Sequence, residues 1–211
     1  MSTPALPPED EVRALVAAVI ADVISAEPPT EPLAADPGRR RWGSPPPGID
    51  ATAGRADIAV GADHGGYVLK EKIAAALREG GVDVRDCGTD SADAVDYPDF
   101  AHAVARLVAD GACRFGIVVD GAGIGSCIAA NKVPGVRAAT CWDVTSAKNS
   151  REHNLANVLV LGAGMLGERL ALEIVDAWLG TPWGGDRHAR RVEKITEIER
   201  RYLAAREGVA A

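Results

Sequence analysis

The chain has 211 residues and a formal net charge of −7, with 47% hydrophobic and 4% aromatic residues. It has no long basic run, which argues against a nucleic-acid-binding surface. No apolar run reaches the ~20 residues that a membrane span needs. The first residues, MSTPALPPEDE, are acidic and lack an early Lys or Arg, which argues against a secretory or transit peptide.

The four cysteines, Cys87, Cys113, Cys127 and Cys141, form no CxxC pair. Because zinc sites usually use such pairs, a zinc site is not expected. Their apolar surroundings are typical of reduced, buried thiols in a cytosolic protein.

Residues 1–26 are predicted to contain an amphipathic helix, because the larger apolar residues from Val12 to Ile24 recur three and four positions apart. Ten of the 13 prolines lie before residue 51, and residues 27–56 show no hydrophobic period. This predicts a flexible, Pro-rich linker. The apolar helix face needs a partner, either the main domain or, as the long linker favours, another protein. Its polar face is short of Lys and Arg, which argues against a membrane surface.

Residues 57–206 are predicted to form one α/β domain, followed by a tail at 207–211. Strands are predicted over 57–63, 82–88, 115–121, 136–142 and 157–164. Helices are predicted over 66–81, 97–111, 124–133, 144–154, 166–180 and 187–206. Five strands separated by helices indicate a doubly wound, Rossmann-like parallel sheet flanked by helices. Such sheets bind ligands beyond the carboxyl ends of their strands, so Asp63, His64, residues 120–125 and the 140s become candidate site residues.

The stretch VVDGAGIGSC at 118–127 places Asp120 between a buried strand and a glycine-rich turn. Gly121, Gly123 and Gly125 let the backbone approach a ligand and expose N–H groups at a helix start, which is typical of an anion or oxyanion cradle. The spacing is not the dinucleotide GxGxxG, and no P-loop lysine follows, so nucleotide binding is not favoured.

Histidines and arginines at predicted loops or helix ends are the other candidates. Arg187 and Arg191 share one helix face around His188 and suit a phosphate ester, although a solvated helix start would look the same. His64 and His153 lie at similar boundary positions.

Residues 57–202 resemble the ribose-5-phosphate isomerase type B family, which includes galactose-6-phosphate isomerase. The motifs that carry the resemblance are, in order, GADHGG (61–66), DYPDFA (96–101), GAGIGSCIAANKVPGVRAA (121–139), SREHN (150–154), ANVLVLG (156–162), IVDAWL (174–179) and RHARRVEKI (187–195). The resemblance does not extend to residues 1–56.

The resemblance implies an aldose–ketose isomerase of a sugar phosphate that needs neither metal nor organic cofactor. His153 would help to open the sugar ring, a base would move the proton from C2 to C1, and the glycine-loop N–H groups would hold the enediolate oxygen. The family's sites form between subunits, which implies a homodimer or a dimer of dimers. The binding residues implied are Asp63, His64, Tyr97 and Asn154 for the sugar, and Arg187, His188 and Arg191 for the phosphate.

Neither usual base of the family is present. One group has a cysteine where this chain has Asp120, and another has a glutamate where it has Ser126. The neighbouring Cys127 is turned about 100° from the glutamate position. We therefore hypothesise that Asp120 is the C2 base, since a carboxylate near pH 7 is already ionised. The alternative is a strand-end residue that hydrogen-bonds the loop amides.

Two further departures concern the substrate. Ala122 stands where the family usually has Ser or Thr, and Gly164 stands where many members have a phosphate-binding arginine. Ribose 5-phosphate is the expected substrate. The alternatives are a tetrose, deoxypentose or hexose phosphate, or a catalytically weak binding or scaffold protein.

A short amphipathic helix on a Pro-rich linker resembles the encapsulation peptides of bacterial microcompartment cargo. This implies that the helix binds shell proteins or co-cargo, and that the protein lies in a microcompartment lumen in the cytoplasm.

Overall fold

The computed structural model describes residues 56–207, and the predicted alternation of strands and helices is confirmed there. The strands are β1 (Ala56–Ala62), β2 (Val84–Asp86), β3 (Cys113–Asp120), β4 (Ala138–Thr140) and β5 (Val158–Gly162). The helices are α1 (Tyr67–Glu79), α2 (Tyr97–Ala109), α3 (Ile124–Ala130), α4 (Val144–Asn154), α5 (Glu168–Gly180) and α6 (Asp186–Glu207). The predicted N-terminal helix, the predicted linker up to residue 55, and residues 208–211 lie outside the described residues.

The five strands form one parallel sheet in the order β2–β1–β3–β5–β4. The central strand β3 pairs with β1 through Ala62 and Val119 and with β5 through Asp120 and Gly162. Its run of apolar residues is buried on both faces, as parallel strands covered by helices require. The carboxyl ends of β1, β3 and β5 therefore meet at one edge of the sheet.

The edge strands β2 and β4 are shorter than predicted, with three residues each where seven were expected. Within residues 56–207 each of them pairs with only one neighbour, so fewer ladder hydrogen bonds hold its ends. The flanking residues predicted as strand belong to turns and connections instead.

Two hydrophobic cores cover the two faces of the sheet. One lies under α1, α4 and α5, where Trp178 is fully buried and its ring meets Phe115 edge to face at 5.2 Å. The other lies under α2 and α3 and contains Val104, Val118 and Val160. No helix among residues 56–207 is both long and apolar enough to cross a membrane.

A buried lysine joins α1 to the neighbouring strand β2. Lys70 is 1% exposed, and its Nζ donates to Asp86 at 2.8 and 2.9 Å and to the carbonyl oxygen of Thr89 at 3.0 Å. Burial lowers the pKa of Lys70, but its hydrogen bonds to Asp86 and Glu71 and their charges outweigh burial, so the net pKa is raised. The charged ammonium therefore anchors the start of the connection that leads to α2.

Candidate active site

The turn after β1 and the glycine loop after β3 lie in contact at the carboxyl edge of the sheet. A Cβ on Gly66 would lie 2.1 Å from the carbonyl oxygen of Val119, and one on Gly65 would lie 3.5 Å from the amide nitrogen of Gly121. Asp63 is buried, and its Oδ1 accepts the N–H of Gly66 at 2.9 Å. The glycines thus allow two loops to approach at backbone distance, which places Asp63 beside the loop that follows β3.

Asp120 organises the glycine loop. It is 4% exposed, and its Oδ1 accepts the N–H groups of Ala122, at 2.8 Å, and of Gly123. Its Oδ2 accepts the N–H of Ser126 at 3.0 Å. A carboxylate has about four acceptor positions, two on each oxygen. These bonds fill both positions on Oδ1 and leave one on Oδ2.

These bonds bear on two of the sequence hypotheses. The N–H of Gly123 points to Asp120, so the oxyanion cradle predicted at this position holds the protein's own carboxylate. The loop-binding alternative for Asp120 matches these bonds, while its role as the C2 base stays a prediction that rests on Oδ2.

Neighbouring strands hold the same loop from two sides. The Thr140 hydroxyl, at the end of β4, donates to the carbonyl oxygen of Gly123 at 2.7 Å. The N–H of Gly164, after β5, donates to the carbonyl oxygen of Gly121 at 2.9 Å. The sequence indicated residues in the 140s as a candidate region but did not identify Thr140 itself. Its signal was a hydroxyl residue at the carboxyl end of a strand.

The structure gives a reason for the glycine at 164. A Cβ there would lie 2.9 Å from the carbonyl oxygen of Gly121, closer than real Cβ contacts come. An arginine at this position would need the glycine loop to move. The missing arginine and the path of this loop are therefore linked.

Tyr97 and His64 complete the carboxyl edge. Tyr97 begins α2 and is 40% exposed, and its ring covers Gly125 so closely that a Cβ there would lie 2.6 Å from two ring carbons. His64 is exposed, and its Nδ1 lies 3.2 Å from both the N–H and the carbonyl oxygen of Val95. Tyr97 thus flanks the glycine loop, and His64, next to Asp63, is tied to the connection that leads to α2.

Cys127, the next base candidate, is hydrogen-bonded elsewhere, and Ser126, at the position of the family's glutamate, is buried. The Cys127 thiol donates to the carbonyl oxygen of Ala138 at 3.4 Å and packs with the core under α2 and α3. The Ser126 hydroxyl is fully buried and has no hydrogen-bond partner among the described residues. Asp120 is thus the carboxylate at one of the two positions where the resemblance places a base.

His153 and His188 form a second cluster. Their rings stack with centroids 4.2 Å apart and planes 9° apart. Arg187 Nε donates to His188 Nε2 at 3.1 Å, and the ring of Trp183 meets His188 at 6.3 Å. Asn154 closes α4 beside this pair, while Arg187 and Arg191 are exposed on α6.

Burial and the neighbouring charges keep one histidine of this cluster neutral. His188 is 5% exposed, and its pKa is lowered by burial and by the neighbouring His153, Arg187 and Arg191, against a smaller opposing effect of Glu152. It is therefore uncharged near pH 7, and the arginines supply the positive charge. An exposed arginine pair beside neutral imidazole is suited to a phosphate.

The two clusters lie at opposite edges of the sheet. α4 begins after the carboxyl end of β4 and runs back, so His153 and Asn154 lie just before β5 begins at Val158. Val158 is level with Gly116, four residues before Asp120 on β3, or about 13 Å along a strand. The predicted site residues therefore form two groups. The group at the carboxyl edge contains Asp63, His64, Tyr97 and the glycine loop. The group at the amino edge contains His153, Asn154, Arg187, His188 and Arg191, and within one chain the two groups do not meet.

The described residues contain no group of three or more His, Cys, Asp or Glu side chains arranged to hold a metal ion. The chemistry open to the two clusters is proton transfer by carboxylate and imidazole, with backbone amides and arginines as anion ligands.

Comparison with known proteins agrees with the motifs. Residues 58–195 match the family model described as Ribose/Galactose Isomerase. The chain is 51% identical over 144 residues to ribose-5-phosphate isomerase B of Escherichia coli K12, which covers 68% of this chain and 97% of that protein. It is 46% identical over 150 residues to the Mycobacterium tuberculosis protein of the same name, covering 70% of this chain and 92% of that one.

Solved structures show the same fold. Ribose-5-phosphate isomerase B of Clostridium thermocellum superposes with a TM-score of 0.69 at 53% identity, covering 69% of this chain and 99% of that one. The Mycoplasma genitalium structure with bound ribulose-5-phosphate gives a TM-score of 0.66 at 39% identity, over 68% and 96% of the two chains. The chain therefore belongs to the ribose/galactose isomerase family.

Proposed function

We propose that this chain is a sugar-phosphate isomerase that interconverts ribose 5-phosphate and ribulose 5-phosphate. The observation that carries the proposal is the 51% identity to ribose-5-phosphate isomerase B of Escherichia coli over 97% of that protein. The residues at the carboxyl edge add chemical support, because a buried carboxylate next to backbone amides is suited to moving a proton beside a developing oxyanion.

The reaction needs one base and one oxyanion site. In our proposal Asp120 Oδ2 takes the proton from C2 while the C1 carbonyl becomes an enediolate oxygen. The proton then returns to C1, and the proton of the C2 hydroxyl passes to the C1 oxygen as the carbonyl forms at C2. Asp63, His64 and Tyr97 line the sugar pocket, with loop amides that include those of Gly121 and Gly125 near the enediolate. No oxidant or reductant is consumed, because the carbonyl moves from C1 to C2 within one molecule.

We propose that the complete site forms between two copies of the chain. The other proposed site residues lie at the amino edge of the sheet, opposite Asp120. They are His153, which would open the sugar ring, and Asn154, Arg187, His188 and Arg191, which would bind the sugar and phosphate. A single rigid domain cannot close this distance, whereas a partner can present its amino edge to the glycine loop.

Exposed apolar side chains support this assembly. Ile124 and Ile128 of α3 are 56% and 57% exposed beside the glycine loop. On α6, Ile195, Ile198 and Tyr202 are 48%, 54% and 69% exposed along one helix face. Large apolar groups that are exposed near functional residues commonly mark protein interfaces. A homodimer or a dimer of dimers would bury them.

An assay of the full-length chain tests the proposed reaction. We expect ribulose 5-phosphate to form from ribose 5-phosphate with a kcat/KM at least about tenfold above that for a tetrose, deoxypentose or hexose phosphate. The alternative substrate is a different sugar phosphate, which the absence of the family's arginine at Gly164 favours. Faster turnover of such a sugar phosphate would establish this alternative. Turnover of none of them would support a binding or scaffold role.

We also propose that residues 1–26 are an encapsulation helix that carries the enzyme into a microcompartment lumen. The support is the sequence alone: one apolar helix face followed by a Pro-rich linker. Deleting residues 1–50 is expected to leave isomerase activity within about twofold and to abolish co-sedimentation with shell proteins, because the helix lies outside the family match. Co-sedimentation that survives the deletion would contradict the proposal.

A further inference from the structure

Asn149 lies one turn before His153 on α4, and the two side chains are joined by a hydrogen bond. Asn149 Nδ2 lies 2.8 Å from His153 Nδ1. The spacing of four residues places both side chains on one helix face. None of the family motifs described above includes position 149.

The orientation of the Asn149 amide determines which ring nitrogen of His153 carries the proton. Asn154 Nδ2 lies 3.5 Å from Asn149 Oδ1 and 3.4 Å from the carbonyl oxygen of Asn149. The amide oxygen thus faces a donor, and the amide nitrogen faces His153. Because an NH₂ group only donates, His153 Nδ1 accepts, and the neutral ring carries its proton on Nε2.

The surroundings leave Nε2 available to a ligand. It lies 3.8 Å from Glu152 Oε1, beyond hydrogen-bond length, and the side chain is 36% exposed. The stack on His188 fixes the ring plane. The charged or titratable groups around the pair are Glu152 on α4 and Arg187, His188 and Arg191 on α6.

We propose that Asn149 is a positioning residue that holds His153 in the Nε2–H tautomer, so that Nε2 presents a proton to the ring oxygen of the sugar. The proposal rests on the isomerase function above. As the bond between C1 and the ring oxygen breaks, its electron pair goes to the ring oxygen, which gains the Nε2 proton. The C1 hydroxyl loses its proton as the carbonyl forms, and that proton restores Nε2–H.

The tautomer can be observed without any turnover. The chain has four histidines, so a long-range ¹H–¹⁵N correlation spectrum of the full-length protein shows four imidazole rings, and His153→Gln identifies the signals of His153. We expect Nε2–H in the wild type. Asn149→Asp should reverse it to Nδ1–H, because a carboxylate can only accept. Asn149→Leu should give a mixture, and Lys148→Leu, at an exposed neighbour, should give the wild-type spectrum.

The kinetics give a second readout. For Asn149→Asp we expect kcat to fall about 10- to 100-fold with KM within about twofold, since a misplaced proton affects the chemical step rather than binding.

The outcomes separate this inference from the proposed reaction. An unchanged His153 tautomer in Asn149→Asp would overturn the positioning role, whether or not the protein isomerises ribose 5-phosphate. A reversed tautomer with an unchanged kcat would overturn its part in catalysis. If Asn149 only stabilised α4, Asn149→Asp and Asn149→Leu would alter thermal stability and leave the His153 tautomer unchanged.

Discussion

Asp120→Asn is expected to lower kcat for ribose 5-phosphate by about 10³-fold, the contribution that a positioned base usually makes. The amide replaces the Oδ2 position that we assign to proton transfer, while its remaining oxygen can still accept the N–H groups of Ala122 and Gly123. Steady-state kinetics at saturating substrate measure the loss. Nearly full turnover in this variant would show that Asp120 is not the base and would direct attention to Cys127.

Asp120→Cys is the matched control, because it puts a thiol where many family members have their base. We expect it to retain more turnover than Asp120→Asn, with a rate that rises toward pH 8.5 as the thiol ionises at a pKa of about 8.5. Urea unfolding separates folding from catalysis. Asp120→Asn loses the acceptor of the Ser126 N–H and should be about 1–3 kcal/mol less stable. Asp120→Cys also loses the oxygen acceptor of the Ala122 and Gly123 N–H groups and should be destabilised further. Equal activity of the two variants would contradict a base at this position.

Mixing two inactive variants is expected to restore activity if each site uses two chains. Equal amounts of Asp120→Asn and His153→Gln, unfolded and refolded together, should recover about one quarter of wild-type activity. Random pairing makes half of the dimers mixed, and each mixed dimer has one intact site out of two. Isomerase assays before and after mixing measure the recovery.

The control uses two defects at the same edge of the sheet. Asp120→Asn mixed with His64→Gln should recover nothing, because every site in a mixed dimer then has one defective carboxyl edge. Equal recovery in both mixtures would contradict a site made from opposite edges. Recovery in neither mixture would mean that His153 and Asp120 belong to one chain's site or act in no common site.

The sequence predicted the order of the elements because buried parallel strands and amphipathic helices leave distinct patterns. The helix at 144–154 matches α4 in full, since Asp143 and Ser146 cap its start reciprocally and Leu155 ends it in the left-handed region. The edge strands were predicted too long, because the pattern of apolar residues does not reveal that a strand lacks a neighbour on one side.

The candidate site was only partly predictable. The rule that ligands bind beyond strand ends singled out Asp63 and Asp120, whose side chains lie at adjacent loops. The same reasoning could not show that Asp120 already accepts loop amides, because a hydrogen bond six residues along the chain depends on the path of the turn. The pairing of Asn149 with His153 was also missed, although their spacing of four on a helix was visible.

The carboxylate of Asp120 is covalently attached to the glycine loop whose amides it binds, so it competes with other anions for those amides. A carboxylate attached to the loop it binds competes at an effective concentration that no dissolved anion reaches. Small anions of the cell therefore gain little from these amides. In our proposal a sugar phosphate uses the amides of Gly121 and Gly125, which Asp120 does not bind, and distant arginines add binding energy from its far end. The Asp120 carboxylate thus discriminates against small free anions by occupying loop amides, whatever the shape of the anion.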